Sequence, residues 1–210
     1  MVGAAGERGS GAPGGSVREA LPSEHHSLAA LLARAFERDP IYRWMLPDDA
    51  RWQRIAPGLF REIVVLFATT GLVLTDGACG GVALWNPPEP RPRRLLESIA
   101  FSLRIAARLG RATGRLARVA SALAALHPPE RHWYLGVLGA DPLRRERGIG
   151  TSLLAPILAR CDAERLAAFL ETAAPENLPF YRGRGFEVVG ETSVPGGPTI
   201  WAMRRAPSTD

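Results

Sequence analysis

The fold is decided by one stretch of the chain, Asp141-Pro-Leu-Arg-Arg-Glu-Arg-Gly-Ile-Gly-Thr151. The apolar and aromatic segment before it, His132-Trp-Tyr-Leu-Gly-Val-Leu-Gly-Ala140, predicts a buried strand that closes in an Asp-Pro turn. Apolar residues at helical spacing follow the stretch: Leu153, Leu154, Ile157 and Leu158. A strand, a basic turn and a helix start direct backbone N–H groups and a positive helix end toward one point. The sequence therefore predicts a phosphate or pyrophosphate site, which Gly148 and Gly150 leave open because they carry no Cβ.

The composition of this turn separates the kinds of phosphate-binding loop. A Walker A loop needs a lysine, and the chain contains none. The dinucleotide fingerprint needs a third glycine, which Gly148-Ile-Gly-Thr-Ser-Leu153 lacks. The segment Arg145-Glu-Arg-Gly-Ile-Gly150 follows the pattern Arg/Gln-x-x-Gly-x-Gly/Ala. It resembles the coenzyme A pyrophosphate loop of the GNAT superfamily of N-acetyltransferases. Alone the pattern also fits a plain turn between strand and helix, and the context favours the binding loop.

Length and composition are those of one globular domain of mixed class. The chain has 210 residues, 46% hydrophobic and 22% charged, which is enough to bury a core. Its net charge is +5 and every basic residue is arginine. This favours a solvated surface or, alternatively, a surface suited to polyanions such as a phosphorylated cofactor. Cys79 and Cys161 have no metal-ligand spacing and are too few for a disulfide framework. We predict no metal, no membrane span, no secretory signal and, by default, a cytoplasmic location.

The chain is predicted to hold one domain between two short ends. Residues 1–15 are rich in Gly, Ala, Ser and Pro and predict a disordered leader. Residues 16–206 form the domain, with the cofactor-binding core at 132–186, and residues 207–210 form a tail.

The beginning of the domain combines a short strand with helical patterns. Val17-Arg-Glu-Ala20 predicts the strand, and an amphipathic helix follows with Ser23 as its cap. Ile41-Tyr-Arg-Trp-Met-Leu46 is interpreted as an aromatic loop. A further helix is expected over 49–68, kinked or split at Pro57.

A hairpin and a helical insert complete the first half. Gly71-Leu-Val-Leu-Thr75 and Gly81-Val-Ala-Leu-Trp85 predict two strands joined at a turn. Residues 93–126 predict two helices divided near 110–114. Five arginines recur along them: Arg104, Arg108, Arg111, Arg115 and Arg118. We interpret the series as a solvated helix face, because no aromatic residues alternate with the arginines for stacking on bases. A nucleic-acid or membrane face is the alternative, and an insert that covers a substrate pocket is a third possibility.

The C-terminal third carries the more specific resemblance. The segment Ala168-Phe-Leu-Glu-Thr-Ala-Ala-Pro-Glu-Asn-Leu-Pro-Phe-Tyr181 is similar to the puromycin N-acetyltransferase group of the GNAT superfamily. Gly185-Phe186 and Val194-Pro-Gly-Gly-Pro-Thr-Ile-Trp-Ala-Met-Arg204 continue the similarity. It is strong over 132–204 and loose before that. It therefore supports the reaction better than it supports puromycin as the acceptor.

The resemblance implies which residues hold acetyl-CoA. The pyrophosphate would lie on the basic turn: Arg145, Glu146, Arg147, Gly148, Ile149, Gly150 and Thr151. The pantetheine arm would follow the backbone of Leu138, Gly139 and Ala140. An outward N–H on this strand, near a possible kink at Gly136, would polarise the thioester carbonyl. Asn177 is expected to contact the same arm, with a helix cap as its structural alternative. Glu146 stands where many relatives have glycine, and it fits if its side chain faces solvent.

Two residues are predicted to do the proton chemistry. Tyr181 matches the tyrosine that protonates the leaving thiolate in many members of the superfamily, with a core aromatic as the alternative. Many members carry a Glu on the strand before the loop, but Trp133–Ala140 contains none. The role of base therefore passes to Glu171, where burial would raise the pKa toward neutrality, or where the carboxylate would have a structural role. His127 and His132 are weaker candidates.

These inferences predict an α/β (α+β) fold with a GNAT-like mixed central sheet, helices on both faces and a helical insert. The sheet is expected to splay beside Gly139, and strands are predicted over 166–170, 186–194 and 199–203. The last two form a hairpin that would pair in a homodimer. The expected reaction transfers acetyl from acetyl-CoA to a primary amine of a small molecule by direct attack. Alternatives are a protein amine or longer acyl chain, a silent CoA-binding regulator, or a basic DNA-binding protein. We expect no nucleic-acid and no membrane partner.

Overall fold

One mixed sheet organises the computed structural model, which describes residues 16–90, 95–142 and 148–208. Its strands are β1 (Arg18–Glu19), β2 (Leu72–Thr75), β3 (Gly81–Asn86), β4 (His132–Ala140), β5 (Ala167–Thr172), β6 (Glu187–Ser193) and β7 (Thr199–Arg205). The spatial order is β1-β2-β3-β4-β5-β7-β6. Neighbours pair antiparallel except β4 and β5, which are parallel. The predicted mixed sheet is confirmed.

Helices cover both faces of this sheet, as predicted. They are α1 (His25–Ala35), α2 (Pro40–Met45), α3 (Asp49–Thr70), α4 (Leu95–Leu109), α5 (Thr113–Leu126), α6 (Ile149–Glu164) and α7 (Leu178–Arg182). Side chains alternate along a strand, so Val82 and Leu84 of β3 pack with α1 and α3, while Ala83 and Trp85 pack with α6. Within the described ranges, no helix is both long and apolar enough to cross a lipid bilayer.

The two central strands separate halfway along their length. The β4–β5 pairing runs from His132–Ala167 to Leu135–Leu170 and then stops. Beyond that point β4 pairs with β3 alone, where Gly136 is the extra residue of a β-bulge. A Cβ on Gly136 would lie 2.2 Å from the Phe67 ring. The kink predicted at Gly136 is therefore confirmed, and the splay begins here, three residues earlier than expected.

Two local predictions in the first half are wrong. Residues 41–46 are not a loop but mostly helix α2, because the Asp39 Oδ1 atom accepts hydrogen bonds from the N–H groups of Ile41 and Tyr42. Pro40 occupies the first helical position, where its fixed φ angle favours the start of a helix. Ser23 is not the cap of α1 either. The Glu24 carboxylate instead accepts from the Leu21 N–H at 2.8 Å, which closes the turn before the helix.

Helix α3 continues through Pro57 instead of splitting there. Buried side chains on both sides of the proline hold the two parts to the same core: Trp52, Ala56, Leu59 and Phe60. Their packing outweighs the one backbone hydrogen bond that a proline removes.

The helical insert is confirmed as two helices divided at residues 110–112, and its arginines fasten it to the core. The Nε atom of Arg104 lies 2.7 Å from the buried Glu62 carboxylate, and Arg108 donates to the other oxygen of the same group at 3.3 Å. Arg115 donates to the carbonyl of Trp44 at 3.0 Å. Part of the basic series thus serves internal contacts and is not a free solvated face.

The closing hairpin places β7 inside the sheet and leaves β6 at its edge. Its turn at Gly196 contacts α2, because the Trp44 indole N–H donates to the Gly196 carbonyl. The homodimer suggested by this hairpin stays a prediction.

Candidate active site

The space between the separating strands opens into a cavity of about 210 Å³. Its polar walls come from the last two residues of β5 and from the segments that follow α1 and β5: Glu171, Thr172, Asp39 and Asn177. Three phenols face it: Tyr42, Tyr134 and Tyr181. The remaining walls are mainly apolar, and the insert supplies four of them: Leu109, Leu116, Val119 and Leu123. The insert therefore encloses the cavity, which was the third possibility from the sequence.

Strand β4 directs backbone donors into this opening. The Asp141 N–H donates to the Gly80 carbonyl of the neighbouring turn at 2.9 Å. Because bonded and non-bonded pairs alternate along an antiparallel ladder, Gly139 also points its N–H toward β3. Leu138 and Ala140 point theirs the other way, into the splay. Gly139 has a packing role, since a Cβ there would lie 2.7 Å from the Leu32 side chain on α1.

The turn before α6 has the backbone that the sequence predicted. Gly148 adopts φ +103°, which favours glycine, and its carbonyl accepts the first helical hydrogen bond from Ser152. The N–H groups of Ile149, Gly150 and Thr151 thus begin the helix without a partner within it. Arg145, Glu146 and Arg147 lie outside the described residues.

Gly150 and Thr151 are covered by the segment that follows α7. A Cβ on Gly150 would approach the Phe180 ring to 3.0 Å. The Arg184 guanidinium lies 3.6 Å from the centre of that ring and donates to the Thr151 hydroxyl. This contact joins the start of α6 to α7, the helix that carries Tyr181.

Tyr181 lies on the cavity wall, 7% exposed, between the rings of Phe180 and Phe186. Burial raises the pKa of its phenol, which the charge of Arg184 partly opposes. The phenol is therefore protonated at neutral pH. Asn177 is exposed and lines the same cavity, and its side chain does not cap α7. The structural alternative for Asn177 is thus not observed.

Glu171 lies where β5 separates from β4, and its side chain is only 3% exposed. Burial raises the pKa of this carboxyl to about 7, although a hydrogen bond with Tyr134 acts in the opposite direction. The Oε1 atom is buried and has no hydrogen-bond partner among the described residues. The Nδ1 atom of the His127 imidazole lies 3.5 Å from Oε1. The backbone N–H of Glu171 itself also bonds the carboxylate, so the structural role stays the alternative to that of base.

Two cavity groups have no role predicted from the sequence. Tyr134 belongs to a strand predicted as apolar, and Asp39 lies just after the first predicted helix. His127, the weaker candidate, lies next to Glu171 but lines a different cleft. An Asp-Pro pair before an aromatic run and a His-Pro-Pro end to a helix were the available signals. Neither signal fixes which surface the side chain meets. Across the part of the chain that the structure describes, no group of three or more His, Cys, Asp or Glu residues could hold a metal ion.

A mixed sheet that splays into a buried cavity beside a glycine-led helix start is typical of acyl-group transferases, and the family match supports that class. The chain belongs to the acetyltransferase (GNAT) family, whose model matches residues 37–186. An uncharacterised N-acetyltransferase of Schizosaccharomyces pombe is 26% identical over 175 residues, 78% of this chain and 70% of the yeast protein.

Solved structures support the fold. A histone acetyltransferase HPA2 and related acetyltransferase from Corynebacterium glutamicum superposes with a TM-score of 0.67 at 22% identity, over 94% of this chain and 98% of that one. A mosquito arylalkylamine N-acetyltransferase like 5b gives a TM-score of 0.52 at 14% identity, over 90% and 98%. The GNAT-like fold predicted from the sequence is confirmed.

Proposed function

We propose that the protein transfers an acetyl group from acetyl-CoA to a primary amine of a small molecule by direct attack in a ternary complex. The observation that carries the proposal is the convergence of Glu171 and Tyr181 on one cavity at the splay of the sheet. One group is a carboxyl whose pKa burial raises to about 7. The other is a phenol that stays protonated. A base and a proton donor thus face the same enclosed volume.

The described residues fit the cofactor. The outward N–H groups of Leu138 and Ala140 would hydrogen-bond the pantetheine arm, and Asn177 would contact it from the opposite wall. Unpartnered N–H groups at the start of α6 suit a pyrophosphate, because the helix dipole adds positive potential there. Arg145 and Arg147 would supply charge to the same group. Acetyl-CoA supplies the activated acyl group, and the protein supplies orientation and proton transfer.

The residues divide the reaction into three tasks. Glu171 takes a proton from the ammonium form of the acceptor, so that the amine can attack. The Leu138 N–H is placed to stabilise the negative charge that develops on the carbonyl oxygen. Tyr181 donates a hydrogen bond to the departing sulfur. A free thiol has a pKa of about 8.5, below that of a phenol, so the donated bond stabilises the thiolate before a proton follows.

The cavity walls favour an amine with an apolar body. A further charge buried against the leucine and valine side chains of the insert is costly without a partner, and Asp39 is the one further carboxyl among the described cavity walls. The mosquito structure above is named an arylalkylamine N-acetyltransferase like protein, and an amine of that chemistry matches the walls. Puromycin, an aliphatic primary amine with an aromatic side chain, stays a candidate because of the sequence resemblance. A protein lysine is disfavoured because Glu171 is enclosed.

The first test is calorimetric titration with acetyl-CoA. We expect micromolar binding by the wild type and at least about 10-fold weaker binding by Gly148→Glu, because a carboxylate would repel the pyrophosphate. Gly196→Glu is the matched control, since Gly196 also has a positive φ and an open Cβ position but lies on the distant hairpin. Equal binding by both variants, or none by the wild type, would contradict the proposal.

The second test is thiol release with a panel of amines. We expect turnover with 2-phenylethylamine or puromycin, and about 10-fold lower kcat/KM with spermidine, since its further charges must lose water. Turnover with a lysine peptide but with none of the small amines would instead support the protein-amine alternative. Binding of acetyl-CoA with no turnover for any amine would support the silent regulator.

A further inference from the structure

We propose that His127 is the proton exit of the site: it takes the proton that Glu171 removes from the amine and passes it to solvent. The proposal rests on the acetyl transfer proposed above. It assigns a function to the C-terminal end of the insert, which would then complete the catalytic machinery as well as cover the cavity.

The His127 ring is held in a defined place. Its backbone N–H closes the last turn of α5 on the Leu123 carbonyl at 3.0 Å. Pro128 and Pro129 follow, and a residue before proline is restricted to extended backbone, as its ψ of 121° shows. The ring packs edge-on against Tyr134 and Phe169, with centroids 5.1 and 5.4 Å away. The side chain therefore has few ways to turn from Glu171.

His127 connects the enclosed cavity with an open cleft. Glu171 lines the cavity, whereas the His127 side chain is 41% exposed and lines a separate cleft walled by prolines. Tyr134 borders both spaces. An acceptor that fills the cavity cuts Glu171 off from water there, so its proton needs another way out. His127 also reaches both Glu171 and solvent, and an imidazole exchanges protons near neutral pH, where a phenol does not.

The distance is close to that needed for transfer. Nδ1 and Oε1 are 3.5 Å apart, and a hydrogen bond forms at about 2.7–3.2 Å. A shift of about 0.5 Å closes the gap. Oε1 is the carboxylate oxygen without a hydrogen-bond partner among the described residues, so no described hydrogen bond has to break.

Release to solvent gives the transfer its direction. The titratable rings packed against His127 are those of His132 and Tyr134, and Tyr134 also hydrogen-bonds Glu171. Glu130 and Arg204 act on His132. Burial raises the pKa of Glu171 to about 7 and lowers the pKa of His127, so Glu171 holds a proton more tightly, and loss of the proton from His127 to water draws the transfer outward. His132 directs its Nδ1 atom to the Glu130 carbonyl at 2.6 Å and is not in the relay.

The protons balance over one turnover. The ammonium loses one proton to Glu171, this proton moves to His127 Nδ1, and the doubly protonated ring loses its Nε2 proton to water. When the products leave and water enters the cavity, proton exchange with that water restores the starting tautomer of His127. The C–N bond forms and the C–S bond breaks. The second proton of the attacking nitrogen replaces the one that Tyr181 gives to the sulfur. One free thiol, one amide and one solvent proton result.

The test compares His127→Ala with the matched control His132→Ala in thiol-release kinetics. We expect His127→Ala to lower kcat about 10- to 100-fold, with KM for both substrates nearly unchanged. Added imidazole should restore kcat in proportion to its concentration, because the emptied cleft admits it. The kcat of His132→Ala should stay within about 2-fold of the wild-type value and should not change when imidazole is added. Melting curves show whether each variant is folded.

The outcomes separate this proposal from the one on which it rests. If the wild type is active and the folded His127→Ala variant has the same kcat as the His132→Ala control, only the relay is overturned. The same holds if imidazole has no effect on a slowed His127→Ala variant. If the wild type releases thiol with none of the amines tested, the acetyl transfer is overturned, and the relay with it.

Discussion

At the scale of the residue, the proposed chemistry depends on a carboxyl that the fold keeps out of water. Glu171 is placed by a strand end, surrounded by aromatic rings and met by a phenol and an imidazole. A carboxyl with a pKa near 7 is a base matched to neutral pH. The same burial works against stability, because the ionised form is more easily solvated in the unfolded chain.

This cost predicts a pH-dependent stability for Glu171→Gln. Between pH 4.5 and about 7 the folded protein holds a proton that the unfolded chain has lost, so the wild type loses stability as pH rises. At pH 8 the variant should be more stable by up to about 3 kcal/mol, and at pH 4 the difference should disappear. Urea unfolding of both proteins at the two pH values measures it. A wild type that is the more stable protein at pH 8 would contradict the shifted pKa.

Tyr181→Phe tests the proton donor. Phenylalanine keeps the packing between Phe180 and Phe186 but cannot donate to sulfur. We expect kcat to fall about 10- to 100-fold while the Kd for acetyl-CoA stays within about 2-fold. Kinetics and calorimetry on the same preparation provide both numbers. A parallel loss of affinity would assign Tyr181 to binding or packing instead.

The sequence predicted Glu171 and Tyr181 on the cavity because each follows a strand or motif with a recognisable pattern. It did not predict their partners. Tyr134 and His127 lie far from Glu171 along the chain, and they meet it only because β4 pairs with β5 and α5 ends above them. Such contacts depend on tertiary packing, which local patterns do not record.

At the scale of the element, the β-bulge of β4 creates the opening. Gly136 is inserted against β3, and its missing side chain lets the Phe67 ring of α3 lie against the strand. Bulges bend strands and increase twist, which turns β4 away from β5. The sequence indicated this feature through a glycine in an apolar strand. It did not indicate α2, which begins at Pro40 after the Asp39 cap and occupies most of the predicted loop.

Gly136→Ala and Gly114→Ala are expected to act in opposite directions. A methyl group on Gly136 would overlap the Phe67 ring and should destabilise the protein by about 1–3 kcal/mol. A Cβ on Gly114, in helix α5, would meet nothing within 4 Å. Alanine there should stabilise by about 0.5–1 kcal/mol, because glycine is a poor helix former. Thermal unfolding of the two variants checks this, and a neutral Gly136→Ala would show that Phe67 moves freely.

At the scale of the whole molecule, two helical layers have different tasks. The α6 and α7 side carries Tyr181 and the helix start proposed to bind the cofactor, while the side of α1, α3 and the insert encloses the cavity. The sequence distinguished these halves, since the family resemblance is strong in one and loose in the other. Glu62 helps to join the insert to the core, because it binds both Arg104 and Arg108. Its arginines could be listed from the sequence, but their partner on α3 could not.

Acceptor selection should therefore be set by the insert and not by the cofactor side. Leu116 lines the cavity, and Leu116→Ala enlarges it next to the apolar part of the amine. We expect the ratio of kcat/KM for puromycin to that for 2-phenylethylamine to rise about 10-fold, with acetyl-CoA affinity unchanged. Leu103→Ala is the control, because Leu103 is on the same insert but 65% exposed. If both variants keep the wild-type ratio, the insert only covers the site, and selection of the amine belongs to the walls formed by α1, α2 and the sheet.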